Sequence, residues 1–103
     1  MPTTIDPDKF DEIQNSDETW IIDIWAEWCG PCQKYKPIFE ETSEEMENVN
    51  FGKVPVHDHK ELAQKMGARA LPTTVIMKSG DTVAQKEGVM GKEELKNWIE
   101  EKA

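Results

Sequence analysis

The chain has 103 residues, of which 37% are hydrophobic and 32% are charged, and this balance predicts a single folded domain spanning residues 1–103. Its 21 acidic and 12 basic residues give a net charge of -9, which disfavours nucleic acid and anionic membrane as partners because both would repel it. The first residues lack a basic start followed by an apolar run, and no segment has the length of a membrane span, so a cytoplasmic location is expected.

The first predicted elements are a short strand and a short helix. The segment 3–5 is expected to contribute little more than the start of a strand. Asp6 and Pro7 have the pattern of an N-cap residue followed by proline at the first helical position. Phe10 and Ile13 then lie on one helical face, which predicts a helix beginning at Pro7.

The segment 20–25 predicts a strand inside a sheet, because it is apolar on both alternating faces except at Asp23. A solvent-facing Asp23 on an edge strand is the alternative. That arrangement would also expose Ile21 and Trp25, which share its face. The pattern therefore favours a buried acid.

A long helix is predicted to begin near Cys29 or Pro31, and Pro37 is expected to kink it. Its apolar face is formed by residues at helical spacing: Tyr35, Ile38, Phe39, Thr42 and Met46.

The segment 49–56 predicts the next strand, and Leu62 with Met66 predicts a short helix that ends at Gly67. Pro55 is unusual within a strand, because proline donates no hydrogen bond to a neighbouring strand. The sequence leaves open whether the strand is shortened, bulged, or positioned so that no neighbour needs that amide.

The segments 73–78 and 82–87 predict two strands joined by a tight turn at Ser79 and Gly80. A final helix is predicted to turn three residues inward: Leu95, Trp98 and Ile99. The element order β, α, β, α, β, α, β, β, α predicts an α/β fold, with a central mixed sheet of four to five strands flanked by about four helices. The cysteines would lie where a strand meets a helix, beyond the carboxyl end of the strand.

Cys29 and Cys32 are the residues that indicate chemistry. Two intervening residues allow a disulfide to open and close without refolding the domain, and a helix N-terminus favours the Cys29 thiolate. Cys29 is therefore the predicted nucleophile, and the less exposed Cys32 the resolving thiol that attacks the mixed disulfide.

A zinc site is the alternative interpretation, since Cys29, Cys32, His57 and His59 are all possible ligands. The single residue between the two histidines fits structural zinc sites badly, because these usually separate their histidines by three to five residues. We expect no metal and no redox role for either histidine.

The segment 22–32, Ile-Asp-Ile-Trp-Ala-Glu-Trp-Cys-Gly-Pro-Cys, resembles the active-site segment of the thioredoxin family. The resemblance covers nearly the whole chain and implies the thioredoxin fold. It continues through Pro37, Lys53, Ala70-Leu71-Pro72-Thr73, Lys78-Ser79-Gly80-Asp81 and Gly88. His57 departs from the pattern by replacing an acid.

The resemblance also implies roles for individual residues. Asp23 would be the buried acid that takes the Cys32 proton, with Lys53 beside it, although a plain surface lysine is a comparable alternative for Lys53. Pro72 would follow a cis peptide bond and lie against the disulfide, and the Leu71 backbone would pair with an extended substrate. The implied docking surface comprises Trp28, Gly30, Pro31, Ala70, Leu71, Pro72, Gly88 and Val89.

The implied activity is reduction of disulfides in client proteins, with the Cys29–Cys32 disulfide as the only redox group and no added cofactor. The implied partners are disulfide-containing clients and a thioredoxin reductase, linked either to NADPH or to ferredoxin, and a monomer is expected. A thioredoxin-like binding module without redox turnover is the alternative. The presence of both cysteines disfavours it.

Overall fold

The computed structural model describes all 103 residues and contains five strands and four helices. In chain order they are β1 (Thr3–Thr4), α1 (Pro7–Gln14), β2 (Thr19–Trp25), α2 (Gly30–Glu45), β3 (Asn50–Pro55), α3 (Lys60–Lys65), β4 (Thr73–Lys78), β5 (Asp81–Glu87) and α4 (Lys92–Lys102). The type and order of these elements match the sequence prediction, and most boundaries agree within one or two residues. None of the helices is both long enough and apolar enough to span a bilayer.

The strands form one mixed sheet in the order β1-β3-β2-β4-β5. Strand β2 is parallel to β3 and antiparallel to β4, and β4 is antiparallel to β5. The carboxyl ends of β2, β3 and β5 therefore meet the beginning of β4 at one edge of the sheet. We call this the site edge, because α2 and its cysteines follow β2 there.

Alternating residues of β2 pack into two separate hydrophobic layers. Trp20, Ile22 and Ile24 pack with the apolar residues of α1 and α3, whereas Ile21 packs with those of α2 and α4. Burying each large side chain contributes about 1.5–3 kcal/mol, so both layers stabilise the same central strand. Because side chains alternate along a strand, Asp23 faces the α2 and α4 layer.

The first helix begins as predicted. The Asp6 side chain accepts a hydrogen bond from the backbone N–H of Lys9 at 2.8 Å, and Pro7 is the first helical residue. Phe10 and Ile13 are the buried residues of this helix. The capping bond satisfies one of the backbone donors that every helix start leaves free.

Pro55 is accommodated at the last position of β3, opposite Trp25. The Val56 N–H donates to the Trp25 carbonyl at 2.8 Å, while the Lys53 carbonyl accepts from Ile5 N–H on the β1 side. Backbone N–H and C=O groups of successive residues point alternately to the two neighbouring strands. An N–H group at position 55 would therefore point toward β1. Strand β1 ends at Thr4, which pairs with Lys53, so no neighbouring strand needs that donor.

The β4–β5 hairpin turns at Ser79 and Gly80, as predicted. Both residues have positive φ angles, 51° and 87°, which match the twist of a two-residue hairpin turn. A side chain at position 80 would also collide with the backbone carbonyl of Gln14. Glycine is therefore required here both for its conformation and for the close approach of the last residue of α1.

Candidate active site

The two cysteines lie at the start of α2 and form a disulfide with a Cα–Cα distance of 5.2 Å. Cys29 is the N-cap residue, and its Sγ accepts a hydrogen bond from the Cys32 N–H at 3.2 Å. The exposed fraction is 8% for Cys29 and 1% for Cys32. An attacking reagent therefore reaches the first sulfur more readily than the second.

The start of α2 favours a negative charge on Cys29. The helix is 16 residues long, and its first turn carries no acidic residue to oppose the positive end of its dipole. The Cys32 N–H already points at the Cys29 sulfur, so it can stabilise a thiolate there after reduction. This arrangement supports nucleophilic thiol chemistry at Cys29.

Asp23 is fully buried on the sheet face that α2 covers, and burial raises the pKa of its carboxyl group to about 7. The positive charge of Lys53, its neighbour on β3, opposes this rise. Neither carboxylate oxygen accepts a hydrogen bond from the protein. The ionised form is therefore poorly stabilised, and the group exchanges a proton near neutral pH.

Lys53 is half-buried and points toward Trp25, with its Nζ 4.8 Å from the centre of the indole ring. It makes no ion pair with Asp23 within 4.0 Å. Burial lowers the pKa of Lys53, while the charge of Asp23 acts in the opposite direction. The lysine thus influences Asp23 through space and not by direct contact.

A second polar pair lies on the same face. Thr74 is the β4 neighbour of Asp23, and its hydroxyl forms a 2.8 Å hydrogen bond with the hydroxyl of Tyr35 in α2. Burial is the main cause that raises the pKa of Tyr35. Thr74 thus pairs with Tyr35, and it donates no hydrogen bond to the Asp23 carboxylate.

Trp28 is the most exposed large side chain near the disulfide, with 71% of its surface accessible. It borders a mainly apolar groove of about 540 Å³, which runs from Cys29 past Pro31 to Ala70 and Leu71 and on to α3. We call this the α3 groove. It brings together four members of the predicted docking surface: Trp28, Pro31, Ala70 and Leu71.

The other predicted docking residues lie outside the α3 groove. Pro72 is buried, and its carbonyl accepts a hydrogen bond from Gly88 N–H at 2.8 Å, which brings the loop after β5 beside it. Val89 in that loop is 36% exposed. Gly30 is exposed at the first position of α2.

The loop before β4 offers free backbone groups next to the cysteines. The Leu71–Pro72 peptide bond is cis, in agreement with the prediction. The N–H and C=O of Leu71 form no hydrogen bond with any other group of the protein, although Leu71 packs against the cluster of Ala26, Cys29 and Cys32. An extended peptide can therefore pair with this residue close to the disulfide.

Two contacts at the site edge were not predicted from the sequence. The Glu27 N–H donates to Nδ1 of His57 at 3.3 Å, and the Glu27 carbonyl accepts from the Gln33 side chain at 3.2 Å. The His57 ring also packs edge-on against Trp25, with the ring centres 5.0 Å apart. Both side chains thus hold the peptide that leads into Trp28. The only available signal was that His57 follows β3 at the site edge.

The histidines do not join the cysteines in a cluster. The structure contains no group of three or more His, Cys, Asp or Glu side chains arranged to hold a metal ion. His57 instead has its Nε2 3.8 Å from carboxylate oxygens of Glu27 and Asp58.

A mixed sheet with a Cys-Gly-Pro-Cys pair at the start of the helix after its central strand defines a thiol-disulfide oxidoreductase domain. The thioredoxin family model matches residues 2–101 of the chain. The chain therefore belongs to the thioredoxin family, and its enzymatic class is that of the thiol-disulfide oxidoreductases. Nothing in these comparisons favours the alternative of a binding module without redox chemistry.

Curated relatives agree with this assignment. A thioredoxin of Malassezia sympodialis is 40% identical over 78 residues, which cover 74% of each chain. A thioredoxin of Rickettsia bellii is 37% identical over 90 residues, 86% of each chain. The crystal structure of the Malassezia sympodialis thioredoxin superimposes with a TM-score of 0.86 at 32% identity, covering 99% of this chain and 90% of that one.

Proposed function

We propose that the chain works in the reducing direction, with Cys29 attacking and Cys32 resolving. The Cys29 thiolate attacks one sulfur of a client disulfide, forms a mixed disulfide and releases the other client sulfur as a thiolate. The Cys32 thiolate then attacks Cys29 Sγ, which closes the Cys29–Cys32 disulfide and releases the second client sulfur. Two electrons pass to the client. The observation that carries this proposal is the unequal exposure of two bonded sulfurs at a helix start.

Asp23 is proposed as the group that accepts the Cys32 proton before the second step. Its pKa of about 7 suits a base that must take and return a proton near neutral pH. Lys53 is proposed to limit that pKa, because its positive charge favours the carboxylate. Both residues act from the sheet beneath the helix that carries the thiol.

The proposed docking surface combines the α3 groove with the loops at Pro72, Gly88 and Val89. The free Leu71 backbone supports pairing with an extended client segment, and the exposed Trp28 supplies apolar contact area beside Cys29. We further propose that a thioredoxin reductase, linked to NADPH or to ferredoxin, reopens the disulfide. The same proposal includes a cytoplasmic monomer that needs no cofactor or metal.

A redox titration combined with a turnover assay tests the direction of the reaction. Equilibration in graded thiol-disulfide buffers, followed by alkylation of free thiols, is expected to give a two-electron midpoint near the value of about -270 mV typical of thioredoxins. A purified protein disulfide should be reduced catalytically when a reductase regenerates the chain. A midpoint well above about -180 mV, the range of protein disulfide isomerases, would contradict the reducing assignment. Supplying an NADPH-linked and a ferredoxin-linked reductase separately identifies the regenerating partner.

Truncation of Trp28 tests the docking surface. Trp28→Ala should lower kcat/KM for a protein client by about ten-fold, since an exposed aromatic anchor typically contributes more than 1 kcal/mol to an interface. Reduction of a small aromatic disulfide should change much less, because that substrate contacts little beyond Cys29. Val83→Ala is the matched control, since Val83 is 46% exposed near the hairpin turn, away from the site edge. Equal losses for the two substrates would contradict a docking role.

A further inference from the structure

The α3 groove carries positive charge on a strongly acidic protein. Its only ionic lining side chains are Lys60 at the start of α3 and Arg69 in the loop before Leu71, and no carboxylate lines it. The chain as a whole carries a net charge of -9. The groove beside Cys29 is therefore an exception to the electrostatic character of the molecule.

Both cations are available to a ligand. Lys60 forms no ion pair within the protein. Arg69 has one loose pair, with 3.8 Å between its Nε and Glu87 Oε2, and its side chain is 86% exposed. A pair of this kind contributes little, so an incoming carboxylate can compete with Glu87.

The position of these charges fits an extended client segment. Arg69 lies two residues before Leu71 in the lining of the same groove, so a client segment that pairs with the Leu71 backbone passes close to Arg69. Side chains two positions apart point to the same side of a strand. An acidic side chain two residues from the client cysteine thus comes within reach of the groove cations.

We propose that the α3 groove selects client disulfides whose cysteine has an aspartate or glutamate two residues away on one flank. This inference rests on the proposed function, because the groove is defined relative to the sulfur that Cys29 attacks. Client segments without this acid still react through Cys29 and the apolar contacts. The acid adds charge complementarity with Lys60 and Arg69, which the remaining acidic surface of the protein cannot provide.

Matched peptides test the proposal. Each peptide carries one cysteine in a mixed disulfide with a chromogenic thiol, and Asp, Asn or Lys is placed two residues from that cysteine, on the N-terminal flank in one series and on the C-terminal flank in the other. The second-order rate constant for attack by the reduced protein should rise about three-fold from Asn to Asp, and fall about three-fold from Asn to Lys, on one flank only. The preference should shrink in 0.5 M salt, where the Debye length is only a few ångströms.

Three variants test which side chains produce the preference for the Asp peptide over the Asn peptide. Lys60→Gln should lower the ratio of the Asp-peptide rate to the Asn-peptide rate about three-fold, and Arg69→Gln should act similarly. Lys78→Gln is the control, since Lys78 is an exposed lysine at the opposite end of β4 and makes no ion pair. It should change none of the rates.

The outcomes separate this inference from the proposed function. Equal rates for Asp and Asn peptides, equal preferences on both flanks, or a preference that survives in the Lys60→Gln, Arg69→Gln double variant would overturn the groove proposal. In each of these cases the wild-type protein still reduces the Asn peptide. If the Asn peptide itself does not react, the proposed reductase function fails instead.

Discussion

Cys32→Ser is expected to stop turnover and to accumulate a stable mixed disulfide between Cys29 and the client. The variant retains the more exposed sulfur at the helix start but lacks the thiol one turn further on. Without an intramolecular attack, release of the client depends on external thiol, and turnover should fall by at least about a thousand-fold. Non-reducing gel electrophoresis with mass spectrometry of a single-turnover reaction would show the covalent complex.

Cys29→Ser is the matched control for this experiment. It removes the exposed sulfur and keeps the sheltered one, so it should neither turn over nor accumulate the complex. Circular dichroism of both variants checks that the fold is retained. Sustained turnover by Cys32→Ser without added thiol would show that resolution does not need the second cysteine, and the assignment of roles would be wrong.

The sequence predicts the order of elements because each carries a local signal that agrees with the final packing. Asp6 with Pro7 marks the start of α1, and the actual helix begins at that proline. The Ser79-Gly80 pair marks the tight turn of the hairpin, and the chain turns at these two residues, both with positive φ angles. Such short-range signals suffice for the fold because local preference and tertiary packing favour the same structure.

Features that depend on neighbouring strands could not be predicted from the sequence. Pro55 left three possibilities open, and the choice among them required knowing that β1 ends at Thr4. The hydrogen bond from Glu27 to His57 joins residues 30 positions apart, and no local pattern specifies it. The sequence likewise does not show that Lys60 and Arg69 line the same groove as Cys29, because this depends on how α3 and the loop before β4 pack.

Asp23 combines a feature that the sequence predicts with one that it does not. The sequence indicates that the acid is buried, but only the structure shows which groups surround it. The structure adds that the Thr74 hydroxyl pairs with Tyr35 and that Lys53 lies over Trp25, and that neither residue donates to the carboxylate. An acid held this way is costly to ionise and is therefore poised to exchange protons near pH 7. The raised pKa and the cost of ionisation thus share one cause, which is burial without a hydrogen-bond donor.

Replacing Asp23 by asparagine should slow the resolving step more than the first attack. The proposed base would be absent, and general bases contribute about a hundred-fold at the lower end of their range. Stopped-flow measurement of mixed-disulfide formation and decay separates the two steps. In the wild type the resolving rate should rise as pH passes through about 7, while this rise should be absent in the variant. An equal slowing of both steps would contradict the role of Asp23 as a base for Cys32.

The same Asp23→Asn variant should be more stable than the wild type at alkaline pH. The carboxyl pKa rises from about 3.9 in the unfolded chain to about 7 in the folded one. Between these values the folded state retains a proton that the unfolded state releases, so this group's contribution to wild-type stability is complete below pH 4 and is lost as pH rises through 7. The loss amounts to about 4 kcal/mol and is absent in the variant.

Urea unfolding of the oxidised proteins at pH 4, 6 and 8 measures this difference, which should be near zero at pH 4 and largest at pH 8. Asp17→Asn is the control, since Asp17 is an exposed acid in the loop before β2 and its removal should change stability by less than about 0.5 kcal/mol at every pH. A difference that is constant with pH would mean that amide packing, and not ionisation, separates Asn from Asp at position 23. A variant that loses stability relative to the wild type as pH rises from 4 to 8 would mean that the folded protein stabilises the Asp23 carboxylate, and neither the raised pKa nor the role of this residue as a base near neutral pH could then stand.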